Sequence, residues 1–159
     1  MKLFSKIIST WFLLGMLTKA PGTIGSLAAL LFSPLILLNG PVGMIIIFAI
    51  FLLGLWSITN YMRYYGTAND PKEVVIDEVI GQLLTIFLTF ITLGNNVNVK
   101  YYFSLYFACF IFFRFFDIVK IWPISFIDRK LKGALGIILD DVLAAVFAYF
   151  SIILLYYLL

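Results

Sequence analysis

Asp77 and Glu78 stand side by side, as do Asp140 and Asp141, and each pair is embedded in an apolar run. Asp117 lies midway between Arg114 and Lys120, three residues from each, in equally apolar surroundings. A lone Asp at the centre of a membrane helix costs about 2.5–3.5 kcal/mol, and less near the interface. Four acids at such depth need compensation, and Arg114 with Lys120 does not cancel their mutual repulsion. A divalent cation would. Carboxylate oxygens, retained waters and phosphate oxygens are the ligands Mg²⁺ prefers. Asp77, Glu78, Asp140 and Asp141 therefore read as a Mg²⁺ site, and Arg114 and Lys120 as partners for an anion. The same carboxylates and Asp117 are the candidate catalytic acids and bases.

A second group lies in "PGTIGS" at 21–26. A glycine-bearing turn that opens a helix can present backbone N–H groups to a phosphate. Thr23 and Ser26 are the hydroxyl-bearing phosphate candidates there. Gly22 and Gly25 equally suit close helix packing, as do Gly81, Gly133 and Gly136 near the acids.

Other charges have a plainer reading. Acids at a helix N-terminus complement the helix dipole, and basic residues do so at a C-terminus. Glu73 belongs to that class, although its spacing of four from Asp77 would put both on one helical face. Arg129, Lys130 and Lys132 read as topology determinants and lipid-headgroup contacts. Asp70 and Asp128 fit either reading equally.

Several chemistries are excluded by inspection. The chain has no histidine, which removes the commonest general base and any Ser-His or Cys-His nucleophile. Cys109 and Arg114 enclose four residues, one short of the C-x5-R loop of a cysteine phosphatase. A DxD pair for an aspartyl-phosphate is missing. What remains is metal-activated water with a carboxylate as base.

The elements that must position these groups are membrane helices. Of 159 residues, 64% are hydrophobic and 12% charged, with a mean hydropathy of +1.10. Soluble domains are about half apolar and about a quarter charged. The apolar runs and the small net charge of +3 exclude a nucleic-acid reader. One cysteine allows no internal disulfide. The expected fold is an all-α polytopic helix bundle, a single domain over 1–159, with four to five spans. Candidate spans are 23–38, 41–62, 74–93, 99–121 and 134–159. The first is short and holds Pro34. Turns are expected at "NGP" 39–41, "GNN" 94–96 and from "WP" 122–123 through "DRKLKG". Residues 1–19 mimic a signal peptide, but cleavage after Ala20 would leave Pro21 at the new terminus, so they are expected to lie in the interface as an amphipathic segment.

Alternating the spans across the membrane brings all eight acids and ten of the eleven basic residues to one side, leaving Lys100 on the other. By the positive-inside rule the charged side is cytoplasmic.

The chain resembles the phosphatidylglycerophosphatase A family through "PGTIGS" at 21–26, "DPKEVVIDEVIGQ" at 70–82, "FRFFDIVKIWPI" at 113–124 and "GALGIILDD" at 133–141. It departs at Ile121, where the family often has proline, and at Gly133–Ala134, where it often has paired glycines. The resemblance implies a Mg²⁺-dependent phosphatase of the bacterial inner membrane. It would convert phosphatidylglycerophosphate, a membrane phospholipid, to phosphatidylglycerol at the cytoplasmic face. The residues alone reach metal-assisted chemistry on an anionic group, and they leave the base, the metal count and the oligomeric state open. Two rivals are an ion-coupled transporter using the acids as a relay and a non-catalytic anionic-lipid binder. Against the transporter, the span beyond Gln82 offers only Thr85, Thr89 and Thr92, and the last span only Ser151 before its tyrosines.

Overall fold

The computed structural model describes residues 1–66, 71–94 and 96–158; Asp70, Asn95 and Leu159 lie outside them. All regular structure among the described residues is helical. The helices are α1 (Lys2–Ser9), α2 (Pro21–Leu37), α3 (Gly40–Tyr65), α4 (Ile76–Leu93), α5 (Tyr102–Val119), α6 (Ile124–Lys130) and α7 (Ala134–Leu158). Four of them, α3, α4, α7 and α5 with the short turn before it, are long and apolar enough to cross a membrane.

Local chemistry marks the helix ends. Pro21 opens α2, where the missing N–H costs nothing. Asn39 caps α3 by accepting the Val42 N–H at 3.3 Å, and Gly66 ends it at φ +67°. The "WP" turn passes into α6, a short helix where the sequence suggests only a loop.

α4 is the central helix. Within the most apolar 18 residues of each spanning helix, 67% are buried in α4, against 28% in α3, 22% in α5 and 39% in α7. It packs on α2, α3, α5 and α7. Small residues allow close approach, the usual means of association where lipid is as apolar as the core. Ala144, Ala145 and Ala148 of α7 are fully buried beside Phe113 and Phe116 of α5. A Cβ on Gly54 of α3 would lie 3.0 Å from Ile80 and 3.2 Å from Ile138.

α2 is apolar but, at 17 residues, shorter than the four spanning helices. It lies alongside α4 for most of its length. Gly22 abuts Glu78 and Gly25 abuts Val75 at one end, while Ile36 and Phe87 share a cleft at the other. The two helices therefore run in parallel. α7 also runs parallel to α4, with Thr92 and Tyr149 hydroxyls 3.1 Å apart near the far end. α3 and α5 run the opposite way: Tyr61 reaches Glu73, and Tyr106 meets Ser33 at 3.3 Å. The starts of α2, α4 and α7 and the ends of α3 and α5 thus gather at one end of the bundle.

The N-terminal segment folds onto that end. In α1 the small polar Ser5 and Ser9 are buried while Leu3 and Phe4 are exposed, an orientation suited to apolar surroundings. Lys2 and Lys6 sit over the Tyr65 ring, 4.8 and 5.8 Å from its centroid. Trp11, Phe12 and Leu13 then take left-handed φ values of 46°, 58° and 69°. This sharp turn returns the chain toward the loop before α4. There the Val75 N–H donates to the Ser9 carbonyl at 2.9 Å, and a Cβ on Gly15 would strike the Glu73 carbonyl oxygen.

Candidate active site

Asp77 and Glu78 occupy the first turn of α4, and Asp141 lies two turns into α7. One carboxylate oxygen from each lies within 4.8 Å of the others. Asp77 and Asp141 are buried. The parallel run of α4 and α7 brings the three together, and Gly81 permits it. A Cβ there would come to 2.5 Å from the Phe113 ring and 3.0 Å from the Asp141 carbonyl oxygen. Glu78 Oε2 and Asp141 Oδ2 are buried without a hydrogen-bond donor among the described residues. Two unit charges about 5 Å apart repel by roughly 3 kcal/mol at an effective dielectric near 20. The α4 N-terminus offsets part of this. Three hard oxygen donors in one buried pocket make a donor set that suits a divalent cation.

Arg114 of α5 closes one side of the pocket. Its Nη1 lies 2.5 Å from Asp117 Oδ2, one turn along the same helix. Asp117 in turn comes within hydrogen-bonding reach of Asp141. Gly22, in the first turn of α2, closes another side. A Cβ at Gly22 would strike Glu78 Oε1 and lie 3.0 and 3.1 Å from Arg114 Nη1 and Nη2. Only a glycine lets the α2 N-terminus approach the acids and the guanidinium together. The N–H groups of Gly22 and Thr23 lie in the turn where a helix has no carbonyls of its own for them. Ser26 is buried and donates its hydroxyl proton to the Gly22 carbonyl at 2.9 Å, so that proton is spent within α2.

Asp140 parts company with Asp141. The sequence groups it with the metal-binding acids, but the structure turns it to Lys120, whose Nζ lies 2.5 Å from Asp140 Oδ2 and 2.6 Å from Asp128 Oδ1. Asp140 stands outside the three-acid group. Lys120, expected to face an anion, already holds two carboxylates. The cause is local. Lys120 caps α5 in the left-handed conformation, φ 46° and ψ 55°, which takes its side chain off the Arg114 face and toward α6 and α7. Burial alone would lower the Lys120 pKa, but hydrogen bonds and charge from Asp128 and Asp140 outweigh it and hold it above the ordinary lysine value.

The chain matches the family model described as Phosphatidylglycerophosphatase A over residues 7–156. It belongs to the phosphatidylglycerophosphatase A family. A Phosphatidylglycerophosphatase A of Haemophilus influenzae is 37% identical over 136 residues, covering 84% of this chain and 77% of that protein. That of Escherichia coli K12 is 30% identical over 148 residues, covering 89% and 80%. A Bacteroides thetaiotaomicron protein, named provisionally as a phosphatidylinositol-3-phosphatase, is 30% identical over 156 residues, covering 92% and 89%. No solved structure matches.

The four motifs that carry the family resemblance all meet at the charged end of the bundle. Within them, several residues serve purposes that spacing did not reveal. Glu73 precedes α4, which begins at Ile76, so it shares no helical face with Asp77. It accepts a hydrogen bond from the Tyr61 hydroxyl at 2.6 Å and ties the loop to α3. Tyr61 carries no signal in the sequence beyond being a tyrosine near a span end. Gly133 has φ +79° and open space around its Cβ position, so it serves the turn into α7 and not packing. A Cβ on Gly136 would strike the Leu131 carbonyl oxygen, which makes it a glycine of the α6–α7 connection. Arg129 is exposed, and its Nε donates to the Ser125 carbonyl at 2.9 Å; Lys130 and Lys132 are exposed.

Proposed function

We propose that this chain is a Mg²⁺-dependent phosphatase of the bacterial inner membrane. It hydrolyses phosphatidylglycerophosphate to phosphatidylglycerol and inorganic phosphate, with its site at the cytoplasmic face. The observation that carries this reading is the buried pocket of Asp77, Glu78 and Asp141 with Arg114 beside it, in a chain of this family. Asp77, Glu78 and Asp141 would hold the ion. When bound, Mg²⁺ supplies counter-charge for a phosphate and acidifies water. Arg114 binds phosphoryl oxygens with its planar fork and stabilises the charge that spreads over them as the bond to the leaving oxygen breaks. The N–H groups of Gly22 and Thr23 add donors from the α2 terminus, with the Thr23 hydroxyl beside them. Asp117 is the acid that lies outside the three-acid group and next to Arg114, so we assign its carboxylate to take up a proton from the attacking water. Lys120 binds Asp140 and Asp128 and keeps α5, α6 and α7 in register. The acyl chains stay in the bilayer while the head group enters the pocket.

The test is phosphate release by the purified chain from phosphatidylglycerophosphate in mixed micelles, with Mg²⁺ and with chelator. Release should require Mg²⁺. A parallel arm with phosphatidylinositol 3-phosphate judges the substrate suggested by the Bacteroides relative, and faster turnover there would reassign the headgroup. No Mg²⁺-dependent release from either lipid would end the reading.

The cytoplasmic orientation rests on the ten-to-one split of basic residues between the two ends. Lys72 and Asn96 are exposed at opposite ends of α4. With a membrane-impermeant thiol reagent on intact cells, Asn96→Cys should be modified and Lys72→Cys protected. Modification of Lys72→Cys alone would invert the topology.

A further inference from the structure

Gln82 lies one helical turn deeper in α4 than Glu78, on the same face by its spacing of four. It is fully buried, and neither Oε1 nor Nε2 has a hydrogen-bond partner among the described residues. A carboxamide brings two donors and an acceptor oxygen with two lone pairs. Leaving a buried polar group unsatisfied costs about 1–3 kcal/mol. The next buried polar residue along α4 differs, because Thr85 donates its hydroxyl to the Gly81 carbonyl at 2.9 Å within its own helix. Gln82 is thus the first polar group beneath the carboxylates that the protein leaves unserved. Two of the acids above it, Glu78 and Asp141, also carry buried oxygens without donors.

We propose that the Gln82 carboxamide is the floor of the active site and positions a buried water against the Glu78 side of the carboxylate group. Water fits this place because it can donate to Oε1 or to a carboxylate oxygen and accept from Nε2. Buried waters usually make about three such bonds. An acid at this position would add a fourth negative charge, and an apolar side chain would leave the water no partner from below. Gln82 is therefore a positioning residue, acting through the water and not on the phosphate. The proposal rests on the phosphatase reading above.

Stability and turnover should move apart. Replacing a buried amide that has no partner within the protein by an apolar group of similar shape removes its desolvation cost along with its bonds to one water, and so is near neutral, whereas losing a residue that orients the groups around a metal site typically costs 10–100-fold. Full-length Gln82→Met is compared with wild type in detergent. Its melting temperature without Mg²⁺ should stay close to that of wild type. With Mg²⁺, kcat should fall about 10–100-fold, with KM for the lipid within about twofold. Wild-type kcat in the variant overturns the proposal. So does a large drop in melting temperature or a collapse in folded yield, since the amide would then have partners within the protein. These outcomes leave wild-type turnover untouched, so they are distinct from failure of the phosphatase reading, in which wild type itself releases no phosphate.

Discussion

Arg114→Lys is expected to lose about 10²-fold or more of its turnover while still inserting and folding, the scale seen when one preorganised donor to developing charge is removed. The guanidinium sits between Asp117, 2.5 Å away, and the absent side chain of Gly22. A planar fork can engage Asp117 on one edge and phosphoryl oxygens on another; a lysine ammonium is a single point charge and cannot hold both geometries. The matched control is Arg129→Lys. Arg129 is exposed and donates to the Ser125 carbonyl of its own short helix, so its rate should stay near wild type. The measurement is initial rate per unit of folded, membrane-extracted protein at saturating Mg²⁺. Normal turnover by Arg114→Lys would reduce this arginine to an ion-pair partner for Asp117 and remove the phosphate site from α5.

Asp141→Asn is expected to move two observables in opposite directions. The substitution keeps the shape and removes one charge from a pocket whose three carboxylates have oxygens within 4.8 Å of one another. Without Mg²⁺ the variant should melt at a higher temperature than wild type, because like-charge repulsion in a buried site is relieved. With Mg²⁺ the order should reverse. Wild type gains stability from ligand binding, about 2.7 kcal/mol at a hundredfold excess over Kd, and the variant gains little. Turnover should fall by about 10²-fold or more, since the charge stabilisation a held ion supplies is worth several kcal/mol. Thermal melts with and without Mg²⁺, run beside the rate assay, read all three effects. A wild type that ignores Mg²⁺ in the melt, or a variant that keeps its rate, would remove Asp141 from the metal set.

Much of this was legible in the chain itself. Long apolar runs broken by "NGP" and "WP" mark the spans, because a bilayer accepts only segments whose backbone groups are internally bonded. The gathering of charge at one end follows from alternating those spans, and the depth of Asp77, Glu78, Asp140 and Asp141 marks all four as costly and therefore compensated. The short span 23–38 was ambiguous by length, and only the structure shows it packed along α4.

The rotation of each helix about its own axis was another matter. In water, the apolar stripe of a helix says which face turns inward. In a bilayer, core and lipid are equally apolar, so the pattern is silent about rotation. Asp140 and Asp141 are neighbours in sequence but about 100° apart around a helix. Which of them meets α4 depends on how Ala144, Ala145 and Ala148 seat against α5, and the answer is Asp141. Asp140 is left to Lys120, whose left-handed cap no spacing rule anticipates. The helix start at Ile76 likewise moved Glu73 into a loop held by Tyr61, a placement that no periodicity encodes and that one hydroxyl at 2.6 Å secures. Charge and apolar length are properties of the chain, whereas partner choice among buried charges is a property of close packing, where a missing Cβ at Gly22 or Gly81 decides which groups can touch.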